Sequence, residues 1–294
     1  MRVLVTIPHF CRRSGPDPSA ALYGSESGDV EARRVQVEGC IAALAQTFGP
    51  RQALVSEQED RPPANEALAL SMDVVLVTTG EQHLAKELLP HLFLHCPTDA
   101  DPRCLGFVCH ELMREHAERY DFFVYLEDDL AITDPLFFAK LSWFNAAFGN
   151  SAVLQPNRFE LAPNLRVMKM YVDGNTTHPD VPAQFQDISV RPELVAEAFG
   201  QPFRFKRVSN VHSGCFFVNR EQLARMAGSP KFGKPNADFF GPLESAATLP
   251  VMRTFEVYKP ARRNAGFLEV GHLGRRFLVP NAPEAPAVPG AVPV

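Results

Sequence analysis

Residues 120–135 read YDFFVYLEDDLAITDP, and the fold is decided by how this stretch is read. Residues 122–126 are an unbroken apolar and aromatic run. A run this short, rich in Phe, Val and Tyr, predicts a strand buried on both faces. Glu127, Asp128 and Asp129 follow at once. Packing does not call for three adjacent carboxylates, because they repel one another and burial penalises their charge unless a cation compensates. If strand alternation continues, Glu127 and Asp129 point one way and Asp128 the other. Two hard oxygen ligands at the carboxyl end of a central strand suit Mg²⁺ or Mn²⁺, with part of the shell left for substrate phosphates. Open α/β sheets also bind their ligands outside the carboxyl ends of the strands. A solvated acidic turn is the competing reading.

With 294 residues, 46% of them hydrophobic, the chain is large enough to bury one sizeable core. Its formal net charge is -5, and no basic block appears, which argues against nucleic acid or an anionic membrane as the main partner. The longest apolar runs are too short to span a bilayer. Met1-Arg2 leads straight into VLVTIPHF with no small-residue cleavage site, which predicts no signal peptide and a cytoplasmic protein. Cysteines 11, 40, 96, 104, 109 and 215 are scattered without a CxxC pair. Reduced core thiols are the expectation, with a zinc site from Cys104, Cys109 and His110 as the weaker alternative.

Residues 2–8 predict a first strand, followed over 11–29 by a long polar loop holding Arg12, Arg13, Gly15, Pro16, Pro18, Gly24 and Gly28. Apolar positions recur at helical spacing from about 30 to 48, and Gly49-Pro50 stops that helix. A short strand over 53–56, a buried strand over 72–78 and helices over 81–94 and 103–119 are expected next. Asp134 and Pro135 then read as the cap and first residue of a further helix. This order predicts an α/β fold with a mostly parallel, Rossmann-like central sheet.

The second half differs. Residues 152–155 read as a short strand, 156–207 as irregular, and 211–218 as a strand whose glycine suits a close backbone approach. Asn219 to Gln222 resembles a capping box for a short helix closed by Gly228. A helix starting near Pro242, a strand over 254–258 and a loop over 266–274 complete the fold. Residues 279–294 are rich in Pro and Ala with almost no charge and predict a disordered tail. The expected organisation is one catalytic domain over 1–278, with a nucleotide-binding half to about 130 and an acceptor half beyond it. Trp143 reads as core.

Taken together, these features resemble the GT-A superfamily of metal-dependent, nucleotide-sugar glycosyltransferases, over roughly residues 2–274. The cluster at 127–129 is similar to that family's acidic DxD motif, with Glu127 in place of the usual first Asp. The resemblance implies that Asp129 is the firmer ligand of Mn²⁺ or Mg²⁺, with Glu127 a second ligand that also faces the nucleotide and Asp128 beside the nucleotide. It places Pro8 and His9 next to the base, and Arg12 or Arg13 near the diphosphate; a turn and a solvated Arg pair are the alternatives. Glu244 matches the acceptor-side general base of inverting members, with Asp238 as the fallback. Where the family pattern has a second acid, this chain has Ser245.

His272, flanked by glycines, resembles the C-terminal histidine that completes the metal shell. Gly214 would let a sugar approach the backbone, and His212 would contact sugar or diphosphate; ordinary β-core is the competing view for Cys215 and Phe217. Asn157, Arg158, Tyr171 and Asp187 suit carbohydrate hydroxyls. The expected function is transfer of a sugar from a nucleotide-sugar donor, a UDP-sugar first, to a hydroxyl of a carbohydrate or glycolipid acceptor. The alternatives are a nucleotidyltransferase acting on a sugar phosphate and a non-catalytic calcium- or carbohydrate-binding protein.

Overall fold

The computed structural model describes residues 1–13, 25, 29–58, 60–162, 168–174, 176, 178–274 and 277–278. Gly15, Pro16, Pro18, Gly24 and Gly28 of the first loop, and the Pro- and Ala-rich segment 279–294, lie outside them. Strand β1 (Arg2–Pro8) leads through the first loop to helix α1 (Val30–Phe48), capped by Asp29, whose carboxylate accepts from the Ala32 N–H at 3.0 Å. Then come β2 (Ser71–Thr79), β3 (Leu94–Thr98), α2 (Leu105–Glu115) and β4 (Phe122–Leu126). These four strands run parallel, in the order β4-β1-β2-β3. The chain therefore walks outward from β1 to β3 and returns to the other side of β1. The switch point lies between β1 and β4, where such sheets open a crevice for ligands.

Past β4, the chain forms β5 (Leu130–Ala131), α3 (Phe137–Phe148), β6 (Ala152–Leu154), β7 (Asn157–Leu161), β8 (Lys169–Tyr171), α4 (Asp180–Ala183), β9 (Glu193–Ala198) and β10 (Gln201–Arg207). It finishes with β11 (Cys215–Asn219), α5 (Arg220–Ala227), α6 (Pro242–Thr254), β12 (Glu256–Pro260) and β13 (Glu269–His272). Strand β11 adds antiparallel to β4 and completes a five-stranded sheet. Two four-stranded sheets, β6-β12-β10-β9 and β5-β13-β7-β8, make up the second half. The result is a mixed α/β fold with a parallel-rich central sheet, as the first half of the sequence implies. Among the described residues no helix is long and apolar enough to cross a membrane.

Strand β4 is buried along its whole length, and its alternation divides the core. Phe122, Val124 and Leu126 pack with Val37, Ile41, Leu44 and Phe137 on one face; Phe123 and Tyr125 pack with Cys109, Met113, Phe216 and Ala247 on the other. At about 1.5–3 kcal/mol for each large apolar side chain fully buried, this double layer is the main support of the scaffold. Gly106 on α2 is required here, since a Cβ would lie 2.6 Å from that of Ala246 and 2.9 Å from the Tyr125 hydroxyl.

Several elements differ from expectation. Residues 81–94 are not a helix but a series of turns, ending in a 3₁₀ turn over Pro90–Leu92 ahead of β3. Leu84, Ala85 and Leu88 mimic helical spacing only because each is drawn down onto the core. Pro90 forbids helical continuation and holds Leu89 extended (φ -68°, ψ 107°). Strand β3 tolerates Pro97 because it lies at the sheet's edge. Of the strand expected over 53–56, only an Ala53–Pro63 bridge forms. Helix α3 begins two residues late: Asp134 caps a turn, accepting from Leu136 N at 2.9 Å, and Pro135 precedes the helix.

Among its described residues, the supposedly irregular 156–207 holds four strands. There β9 and β10 are joined through Phe199 and Gly200, both at positive φ, as a tight hairpin requires. Ser213 and Gly214 precede β11 rather than lie in it, and 269–272 is a strand rather than a loop. The capping box at Asn219 and Gln222 forms, and α6 opens at Pro242. Trp143 is half-buried, ringed by Phe148, Phe205 and Phe267.

Candidate active site

Strand pairing of β4 stops at Leu126, and the Leu130 N–H bonds back to the Glu127 carbonyl at 3.2 Å. The three acids therefore ride on a tight turn and not on a strand, so strict alternation does not govern them. Each carboxylate has a different environment.

Asp128 is buried and clamped. It accepts from His9 Nδ1 at 2.6 Å and from the Arg33 guanidinium. The other ring nitrogen of His9, Nε2, accepts the Leu84 N–H at 3.0 Å, so the ring carries its proton on Nδ1 and donates it to Asp128. Burial opposes the charge on Asp128, but Arg33 and His9 outweigh it and pull the carboxyl down to about 2. Asp128 is thus a strut joining β4, β1 and α1. With both its nitrogens engaged inside the protein, His9 contributes to the site through Asp128.

Asp129 shares Arg33 at a longer 4.0 Å and is held mainly by β13. Its backbone carbonyl accepts from Leu273 N at 2.8 Å, and the antiparallel pairing of β5 with β13 brings His272 opposite Leu130. His272 Nε2 lies 3.4 Å from Asp129 Oδ2, while its Nδ1 lies 2.6 Å from Glu160 Oε1. Burial works against charging this imidazole, but Asp129 and Glu160 outweigh it and hold its pKa above the ordinary value. Asp129 Oδ1 is buried with no hydrogen-bond partner among the described residues.

Glu127 is enclosed against Gly214, whose carbonyl accepts the Glu127 N–H at 2.9 Å. Gly214 sits at φ +64°, and a Cβ there would collide with the Glu127 carboxylate. Glycine is therefore required twice over, by backbone and by space. Burial first, and then the charge of Asp129, push Glu127 up to about 8.

Glu244 stands in the first turn of α6, close enough to Glu127 for their charges to interact. Beside it Ser245, where an acid was the family pattern, closes the loop ahead of the helix: its hydroxyl accepts from Phe239 N at 3.0 Å. Asp238 is exposed and ion-paired to Arg253 at 2.6 Å and Lys231 at 3.1 Å, and these bonds lower its pKa. No contact of Asp238 with the acidic turn occurs among the described residues. His212 bonds Thr248 Oγ1 at 2.9 Å, and burial, then the nearby Arg158, depress it to about 3, so it is neutral. Arg13 turns outward to the His83 carbonyl at 2.7 Å and to Glu87, and the Arg12 N–H bonds the Ser25 carbonyl at 2.9 Å. Pro8 ends β1 opposite Val77.

Behind the acids is a buried ion network that sequence reasoning missed. Arg158 on β7 pairs with Asp173 at 2.9 Å, and Lys259 on β12 reaches the same carboxylate at 2.9 Å. Burial opposes the charge on Asp173, but Lys259 and Arg158 prevail and bring it down to about 2. Asn157 spans the same junction, donating to the carbonyls of Pro260 and Ala265. Tyr171 donates to Glu269 at 2.7 Å, and Asp187 makes a local turn with Ser189.

A signal existed for Arg33, which lies four residues before Val37 on the buried stripe of α1, where a charge needs a buried partner. The alternation of NRFEL, with Arg158 and Glu160 on one face, is the corresponding signal in β7.

Asp129 and His272 supply one carboxylate and one imidazole, a set that fits Mn²⁺ better than Mg²⁺ and leaves positions for phosphate oxygens. The orphaned Asp129 Oδ1 is consistent with such an ion. Among the described residues no three His, Cys, Asp or Glu side chains converge on one point to hold an ion. Glu127 therefore flanks the pair rather than completing a triad, and the Cys104, Cys109 and His110 zinc site does not form. All six cysteines are free thiols, and His110 is a buried ring bonded to the Ala246 carbonyl at 3.0 Å.

No family model matches the chain, and neither does any curated protein. Among solved structures, the chain is similar to apo mouse xyloside xylosyltransferase 1, at 12% identity over 87% of this chain and 85% of that one, with a TM-score of 0.40. It is also similar to glucosyl-3-phosphoglycerate synthase of Mycobacterium tuberculosis in complex with Mn²⁺, UDP and glucosyl-3-phosphoglycerate. That match has 13% identity over 92% of this chain and 70% of that one, again with a TM-score of 0.40.

Proposed function

We propose that the chain is a glycosyltransferase that moves a sugar from a nucleotide-sugar donor, a UDP-sugar first, to a hydroxyl of a carbohydrate or glycolipid acceptor, with inversion. The observation that carries this reading is the meeting of Asp129 and His272 at the switch point of the parallel sheet. In this reading Asp129 and His272 hold Mn²⁺ or Mg²⁺, with Glu127 beside them. When bound, the ion offsets the negative charge that builds on the departing diphosphate. Asp128 keeps the turn in place through Arg33 and His9. Gly214 leaves room for a sugar against the backbone.

Glu244 takes the proton of the attacking hydroxyl as its oxygen bonds to the anomeric carbon. The carbon–oxygen bond to phosphate breaks, and its electron pair leaves with the nucleoside diphosphate. Asp238 is tied to Arg253 and Lys231, and those cations lower its readiness to take a proton.

Mn²⁺ and UDP together are expected to raise the melting temperature more than either alone, because an ion held by Asp129 and His272 would attract the diphosphate. If UDP, GDP, CDP and dTDP all fail to give that cooperative shift, the reading falls. Glu244→Gln is expected to keep the shift and to lower kcat by on the order of 10²–10⁴-fold. Unchanged turnover would remove Glu244 from the mechanism.

A further inference from the structure

We propose that Glu160 is a positioning residue for His272, fixing the imidazole proton on Nδ1 so that the Nε2 lone pair is presented beside Asp129. The inference rests on the reading of Asp129 and His272 as the ion-holding pair. Glu160 lies one step beyond the Phe159–Gly271 pair of the parallel β7–β13 ladder, so its side chain stands next to that of His272 on the same face.

Two carboxylates face the ring, and they are not equal. Glu160 Oε1 is 2.6 Å from Nδ1 and its residue is wholly buried; Asp129 Oδ2 is 3.4 Å from Nε2 and its side chain is partly open. A neutral imidazole has one proton to give. Giving it to Asp129 would deprive the buried Glu160 of its close donor, leaving among the described residues the longer bond from Phe277 N at 3.3 Å. That choice is costly in a dry environment, and Glu160 Oε2 already has no partner among the described residues. The proton therefore stays on Nδ1. The ring is held further by the Phe277 side chain, 5.3 Å away, which also lies under the Arg158 guanidinium at 5.5 Å. A carboxylate behind a ligating histidine sets its tautomer and orientation, and losing it costs metal affinity.

The test uses the full chain, with Glu160→Met to remove the acceptor and Glu160→Gln to keep shape and acceptor without charge. Nitrogen-15 spectra of the histidine rings are recorded without metal at alkaline pH, with the His272 signals assigned by their loss in His272→Gln. The parent chain is expected in the Nδ1–H tautomer, and Glu160→Met is expected to shift toward Nε2–H. Calorimetric titration of Mn²⁺ in the presence of UDP is expected to weaken on the order of 10–100-fold in Glu160→Met, and less in Glu160→Gln. An Nε2–H parent overturns the proposal even if Glu160→Met does not fold. So does a folded Glu160→Met with the parent's tautomer and Mn²⁺ affinity. Should the parent bind no Mn²⁺ with UDP, GDP, CDP or dTDP, the glycosyltransferase reading fails, while the spectra still judge Glu160.

Discussion

In the five-stranded sheet, β4 buries Phe122, Phe123, Val124, Tyr125 and Leu126 without a single charge. In the second half, β7 buries Asn157, Arg158 and Glu160, and β12 buries Lys259. The first region is held by apolar area, which has no direction and tolerates small shifts. The second is held by charges whose partners must be at hydrogen-bond distance, since a buried ion that loses its counterion has no water to fall back on. The acidic turn sits where the two regimes meet. One side of it rests on a rigid apolar sheet, and the other faces a wall whose geometry is set by ion pairs.

The sharpest way to break this contrast is to remove the shared anion of the wall. Asp173→Ala strands Arg158 and Lys259 and is expected to destabilise the chain by about 3–5 kcal/mol in urea unfolding. A loss below about 1 kcal/mol, the scale of an exposed pair, would mean that the network is not buried in solution.

Acid is the next lever. Asp173 has its folded pKa lowered to about 2, from about 3.9 when unfolded. Its contribution is therefore fully present above the unfolded value and is lost as pH falls from about 4 toward 2, where the unfolded chain takes up the proton first. The expected loss is about 2–3 kcal/mol, followed by the fluorescence of the single tryptophan. Asp173→Asn should flatten that part of the profile; an unchanged acid transition would rule out Asp173 as its source. The smallest effect belongs to the apolar region, where Asn219→Ala removes one half of the α5 capping box and is expected to cost about 1 kcal/mol in the same unfolding assay.

What could be read in advance follows the same division. Strands β1, β2 and β4 and helix α1 announce themselves because a doubly covered sheet demands continuous apolar runs and a helix on it demands a 3.6-residue stripe. The turns at 81–94 deceive for the same reason, since Leu84, Ala85 and Leu88 serve the core without being helical. The wall is harder to see because its strands alternate ions with apolar residues, and the partners of those ions lie far along the chain. Nothing near Arg158 points to Asp173, and nothing near Glu160 points to His272. For the acids, the residue types were legible and their division of labour was not. Asp128 is set apart by His9 and by the closer contact of Arg33, and Asp129 by His272, residues that arrive from three other elements.

Strand β13 slides between β5 and β7, and β5 is only two residues long. During synthesis on a ribosome, the large sheet's strands all emerge well before Glu269. Until then Leu130 and Ala131 have no pairing strand among the described residues, and Asp129 lacks the Leu273 N–H that holds its carbonyl. A nascent chain can thus own its central sheet, with Asp128 already clamped by His9 and Arg33, while Asp129 still waits for β13, the last of the described strands, to bring His272 and Leu273 to it.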